Sequence, residues 1–369
     1  MANKYLKIRR PDDFHVHLRE GNILKTVLPF TSRVMGKALI MPNLKEPILN
    51  LSLAKKYREE VFSSLPPNAS FLPIFSLYLT EQTTSETIKE AARSEFIRAC
   101  KLYPAGATTN SSFGVSNLEK LDEALSAMEA YGLILCVHGE STDPEVGVFD
   151  REASFVERIL PGLLQKYPRL KVILEHISTK DAAQFVKTFP SSRLAATVTC
   201  HHMLCNYNAL LGQGLNPHLY CCPVLKSEEH RKFIVETVMQ DNEGKFFLGT
   251  DSAPHLQGAK ECRKAAAGVF SSPVALLCYA KVFEENNALD KLEKFASENG
   301  SRFYDLPLNE EWIALEKETY EVKRYIGKYI ISKVFCRDPF CLDFLNRLEL
   351  WIFFNEFVYF HFSLSSFFS

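Results

Sequence analysis

None of the ten cysteines forms a Cys-x-x-Cys pair. This argues against the common zinc-ribbon and thioredoxin-like spacings, and the adjacent Cys221 and Cys222 suit no ordinary disulfide framework. Reduced thiols in a cytosol-like compartment are therefore expected. Charge of one sign is also missing: 43 Lys and Arg face 44 Asp and Glu, with no long basic run. Nothing in that balance points to nucleic acid or an anionic membrane surface. No glycine-rich phosphate turn follows the first apolar run, which speaks against an open, dinucleotide-binding sheet. The opening "MANKYLKIRRPDD" lacks the apolar run of a signal peptide and is short for a transit peptide. A cytoplasmic location is the expectation, with organellar import left open should the N-terminus be truncated.

What is present is alternation. The 369 residues suffice for one large barrel-type domain or two ordinary ones. Eight short apolar runs with a β-branched or aromatic bias occur at 14–18, 37–42, 71–79, 96–104, 133–140, 171–178, 194–202 and 245–251. Helix-like stretches lie between most of them. "LSLAKKYREEVFSSL" reads as one crossover helix. "SNLEKLDEALSAMEAYG" opens on a Ser cap signal and closes at Gly132. "SEEHRKFIVETVMQ" is similar, as is "REASFVERILPGLLQKYP", which Pro161 must kink or divide. Strand and helix alternating eight times predicts a parallel (β/α)8 barrel of the TIM type.

The polar residues fall where such a barrel needs them. In "DDFHVHLREG", His15, His17 and Arg19 alternate and so share one strand face, with Val16 and Leu18 facing the helices. Lys101 ends the fourth run, His138 the fifth, His176 the sixth and Asp251 the eighth. Barrel enzymes draw their catalytic groups from C-terminal strand ends. Any one of these residues is ordinary alone: a packed histidine, a turn aspartate, a structural lysine ion pair. Together, four imidazoles and a carboxylate supply the nitrogen and oxygen ligands that zinc prefers. A lysine buried among cations is favoured as the neutral amine, and a neutral amine can add carbon dioxide to give an anionic, two-oxygen carbamate. For Lys101 the sequence leaves both the carbamate and the ion pair open.

In combination and order, "DDFHVHLREG", "MPNLKEP", "KLYPAGATTNSSFGV", "CVHGE", "LEHIS", "HLYCCPVLK" and "FLGTDSAPH" resemble the dihydroorotase family, the compact bacterial and plant-type branch of the amidohydrolase superfamily. The resemblance runs from about Tyr5 to about Glu321. It implies a barrel holding two Zn2+ ions: His15, His17 and Asp251 on one, His138 and His176 on the other, and N6-carboxylated Lys101 bridging them. It further implies reversible cyclisation of N-carbamoyl-L-aspartate to L-dihydroorotate, by a metal-bridging hydroxide with Asp251 as base and then acid. Arg19, Asn43 and His255 would hold the substrate carboxylate. Cys222 and Ala267 would contribute backbone contacts, and Thr108 and Thr109 would sit on a closing loop. A homodimer is implied, with a small-molecule substrate and no nucleic acid. A hydantoinase- or allantoinase-like amidase is the rival, against which Arg19 and "ATTNSS" count. A barrel without catalysis is the other reading, but no proposed ligand is missing.

Two segments stand outside this pattern. "CHHMLC" contains zinc-type residues, Cys200, His201, His202 and Cys205, but no matching pair elsewhere, so both histidines are expected to support the barrel mouth. The chain divides into a barrel domain, 1–320, and an atypical tail, 321–369. The stretch "WIFFNEFVYFHFSLSSFFS" at 351–369 holds one acidic residue, Glu356. A membrane helix needs about 20 apolar residues. Asn355, Glu356, His361 and several serines favour instead an aberrant, non-native C-terminus, and exposed phenylalanines there would promote aggregation.

Overall fold

The computed structural model describes residues 5–212, 214–319 and 349–354. The eleven strands are β1 (Tyr5–Arg9), β2 (Asp12–Val16), β3 (Lys37–Ile40), β4 (Leu72–Tyr78), β5 (Ile97–Leu102), β6 (Ile134–Val137), β7 (Val172–Leu174), β8 (Leu194–Val198), β9 (Phe246–Leu248), β10 (Trp312–Thr319) and β11 (Glu349–Phe354). Strands β2 to β9 pair in parallel in chain order, and each coincides with one of the eight apolar runs. Main-chain bonds just beyond the strands close the ring. His17 N–H donates to Ser252 O at 3.0 Å, and Asp251 N–H donates to His15 O at 2.9 Å. The fold is thus the expected parallel barrel.

Helices cover the outside, and local sequence explains their ends. Leu51–Ser63 is the single crossover helix, capped by the Asn50 side chain on Leu53 N–H. Pro161 divides its stretch into Arg151–Arg158 and Leu160–Lys166. Gly132 ends the Asp122–Tyr131 helix at φ 77°, a left-handed position that suits glycine. The cap upstream differs from expectation: Asn117, not Ser116, accepts from Glu119 N–H. An amide oxygen one residue later competes for the same orphan donors.

Two apolar layers fix the barrel. Val16 and Leu18 belong to the outer layer, while Phe14, Leu39, Ile74, Ala99, Ile134, Ile173, Ala195 and Phe247 fill the interior. Large and small side chains interdigitate in the barrel lumen. Phe14 stacks on Tyr304 at 4.7 Å between ring centroids and meets Phe247 edge-on at 5.6 Å. A Cβ on Gly300 would come within 2.3 Å of the Phe14 ring, so this close approach requires glycine. These rings plug the bottom of the barrel and leave the strand C-termini for the polar groups.

β1 and β10 pair antiparallel, and β11 adds a third strand to that small sheet. It is the one described part of the tail; the rest of 321–369, including 355–369, lies outside the described residues. Among the described residues, no helix is long and apolar enough to cross a membrane.

Candidate active site

A register shift between Asp13 and Val16 interrupts the pairing of β2 with β3. A bulge of this kind lets neighbouring residues face the same way. Phe14 enters the lower barrel core, while His15 lines the pocket above it. The buried Asp13 carboxylate fastens the bulge: Oδ1 accepts from His15 N–H at 3.1 Å and Thr250 N–H at 2.9 Å, and Oδ2 accepts from the Thr250 hydroxyl at 2.6 Å. Burial raises the Asp13 carboxyl to about 7 despite those donors. The same carboxylate thereby sets the positions of both His15 and Asp251.

The ligand-type atoms converge. His15 Nε2 and His17 Nε2 are 3.3 Å apart, and Asp251 Oδ1 lies 3.3 Å from the first and 3.0 Å from the second. Four ligands around zinc at ~2.0–2.1 Å have tetrahedral edges of about 3.3 Å, so this trio matches the donor spacing of one zinc. Burial disfavours the His15 cation, but the Glu175 and Asp251 carboxylates outweigh it and push the imidazole up to about 9. A divalent cation between these atoms would replace that proton. Burial, with Arg19 nearby, lowers His17 to about 4. Burial works against the Asp251 carboxylate, yet His15, His17 and His176 together hold it well below its usual range.

A second group adjoins the first. The rings of His138 and His176 are 4.8 Å apart, and those of His15 and His176 5.1 Å. Burial, followed by Lys101 and His138, holds His176 well below its usual value, leaving a neutral imidazole able to bind metal. Lys101 is fully buried and ion-paired with Glu175, whose Oε2 also lies 2.5 Å from His15 Nδ1. The ordinary ion pair left open by the sequence is therefore present. A carboxylate on the outer nitrogen of a histidine fixes which nitrogen faces a metal.

Arg19 departs from the expected strand face. β2 ends at Val16, and Arg19 reaches the pocket through a left-handed turn at φ 59°. His176 and Asp251 are also left-handed, at φ 42° and 44°. Non-glycine residues rarely adopt this conformation, and it concentrates where chain direction serves a site. Arg19 Nη2 lies 3.1 Å from His255 Nε2, which is also 2.9 Å from Ala267 O. That nitrogen can accept from the arginine or donate to the carbonyl, but not both. Burial, then the Arg19 and Lys260 charges, lower His255 to about 3. Asn43 Nδ2 donates to Thr109 O at 3.2 Å, and the Thr109 hydroxyl donates to Ala267 O at 3.2 Å. The 105–114 segment is thus tied across the pocket mouth.

Of the residues singled out in the sequence, His15, His17, Arg19, Asn43, Thr108, Thr109, His138, His176, Cys222, Asp251 and Ala267 line one pocket. Lys101 lies beneath it on β5, and His255 touches it through Arg19. Sequence reasoning missed Tyr103, Ala253 and Gly268 in the lining, and Glu140, which lies 2.7 Å from His138 Nε2. Tyr103 and Glu140 each stand two residues beyond a predicted ligand, a spacing that could have flagged them. In the "CHHMLC" region, Cys221 rather than Cys205 joins His201 and His202. Both His202 nitrogens are already engaged, by the Thr199 hydroxyl and Pro223 O, which supports the structural reading.

Residues 13–310 match the amidohydrolase family. A dihydroorotase of Neisseria gonorrhoeae is 50% identical over 317 residues, 86% of this chain and 92% of its own length. The chain belongs to the dihydroorotase family. Its members hydrolyse a cyclic amide. A mitochondrial dihydroorotase of rice is likewise 50% identical, over 86% of this chain and 78% of its own. The dihydroorotase of Campylobacter jejuni superposes with a TM-score of 0.83 at 32% identity, covering 96% of this chain and 98% of its own.

Proposed function

We propose that this chain catalyses the reversible, zinc-dependent cyclisation of N-carbamoyl-L-aspartate to L-dihydroorotate and water, in de novo pyrimidine synthesis. One juxtaposition carries the reading: the His15, His17 and Asp251 donor trio opens into the same pocket as the Arg19 guanidinium. The first suits a metal and the second a carboxylate, and dihydroorotate offers a ring amide and a carboxylate together. The 50% identity to proteins named dihydroorotase supports the same choice over a hydantoinase.

His15, His17 and Asp251 would hold one Zn2+, and His138 and His176 the other, with a carbamate on Lys101 shared between them. When bound, the pair supplies an activated water near neutral pH and polarises the ring carbonyl. Carbamylation would exchange the Lys101 ion pair for metal contacts and leave Glu175 on His15 Nδ1. Arg19 binds the substrate carboxylate through charge-assisted hydrogen bonds. Asn43 and His255 add contacts, and the Thr108–Thr109 segment excludes water once closed.

Asp251 moves the proton. It is ionised at neutral pH, so it can accept a proton from the attacking water as the new C–O bond forms. It returns that proton to the ring nitrogen as the C–N bond breaks. In the opposite direction the same carboxylate takes a proton from the ureido nitrogen as that nitrogen bonds to the side-chain carboxyl carbon, and passes it to the departing hydroxyl, which leaves as water.

The purified protein is expected to cyclise carbamoyl-aspartate and to hydrolyse hydantoins poorly. Robust hydantoin hydrolysis without dihydroorotate turnover would refute the assignment. Removal of the clamp in Arg19→Gln should raise KM for dihydroorotate roughly 10- to 100-fold, the range of one or two charge-assisted hydrogen bonds, with a smaller change in kcat. Steady-state kinetics at saturating substrate separates the two effects.

A further inference from the structure

Lys260 lies at the end of the short helix Gln257–Lys260 and is 3% exposed. Its ammonium donates to three main-chain carbonyls: Tyr220 O at 2.9 Å, Ala266 O at 2.7 Å and Gly268 O at 2.7 Å. An ammonium has three N–H donors, so all are used. The carbonyls come from two separate segments. Tyr220 precedes Cys222, which lines the pocket, and Ala266 and Gly268 bracket Ala267, which lines it too.

The surroundings depend on this gathering. Ala267 O receives the Thr109 hydroxyl and lies beside His255 Nε2. Gly268 N–H donates to the same Tyr220 O that Lys260 holds, at 2.9 Å. A Cβ on Gly268 would approach Ala253 to 2.7 Å, so the segment lies flat on the chain beside Asp251. Carbonyls turned toward one buried point need a cation or donor there, since unpaired buried carbonyls are costly.

We propose that Lys260 is a positioning residue for substrate: it clamps the 220–222 and 266–268 segments together, so that Ala267, Cys222 and His255 present a formed wall beside Arg19. This rests on the dihydroorotase reading for its substrate, but the clamp itself concerns only this chain. Lys260 does not line the pocket itself. Its loss should loosen binding rather than disturb the metal-type ligands, which belong to other segments.

The test compares Lys260→Met and Lys260→Arg with the unmodified enzyme by dihydroorotate kinetics, zinc content and hydrogen exchange of the 257–268 backbone. Lys260→Met should raise KM by roughly tenfold or more with kcat changed less, as expected when ground-state and transition-state binding fall together. Zinc content should be unchanged and exchange at 257–268 faster. Lys260→Arg, which keeps charge and donors, should recover most of the affinity. Unchanged KM and exchange in Lys260→Met would overturn the proposal, as would a loss confined to kcat or to zinc. If Lys260→Met does not fold, Lys260→Gln, which has no charge and only two N–H donors, decides: faster exchange at 257–268 with raised KM supports the clamp, and wild-type exchange and KM refute it. Should the unmodified protein fail to turn over dihydroorotate, the functional reading falls, while exchange at 257–268 still decides the clamp.

Discussion

Asp251→Asn is expected to lower kcat roughly 10²- to 10⁴-fold, the usual worth of a positioned acid–base group. The amide keeps the shape of the side chain but can neither accept the water proton nor return it to the ring nitrogen. It also withdraws a negative charge from between His15 and His17, whose nitrogens lie 3.3 and 3.0 Å from Oδ1. Zinc should therefore bind more weakly as well. Measuring kcat at saturating zinc separates the two losses. Activity near that of the unmodified chain would remove Asp251 from the proton path.

Lys101→Ala should be of comparable severity, for a different reason. The lysine is wholly buried and is not among the residues that line the pocket. If its role is a carbamate shared by two metals, its loss costs metal binding and turnover together. Short carboxylates such as acetate, which offer two oxygens in a similar space, should restore part of the activity. If its role is the ion pair with Glu175, the alanine strands a buried carboxylate, a loss of about 3–5 kcal/mol in stability. Lys101→Ala/Glu175→Gln should then recover both stability and turnover. The account expects the double variant to stay inactive, whatever its melting temperature.

Much of this site was legible in the sequence because barrel chemistry sits at strand ends. Each of β2, β5, β6, β7 and β9 announces itself by a short apolar run, and the predicted ligand lies within three residues of its C-terminal end. The bulge in β2 was not legible. Its cause is Asp13, which holds Thr250 from 237 positions away, and nothing local to "DDF" reports that bond. Alternation puts Arg19 on a continued strand, whereas the chain turns left-handed to bring it to the pocket. Glu175 precedes His176 and reads as an ordinary strand-end acid until Lys101 and His15 are seen beside it. Asn43 and His255 came from resemblance alone; a turn asparagine and a histidine after proline have no signature of their own.

The most direct test follows zinc and dihydroorotate turnover in the same purified protein. Both are measured before chelation, after complete metal removal and after zinc is returned. The account predicts turnover that tracks bound zinc, vanishes with its removal and recovers with two Zn2+ per chain. Undiminished dihydroorotate turnover in fully metal-depleted protein, or none in fully zinc-loaded protein, would contradict it.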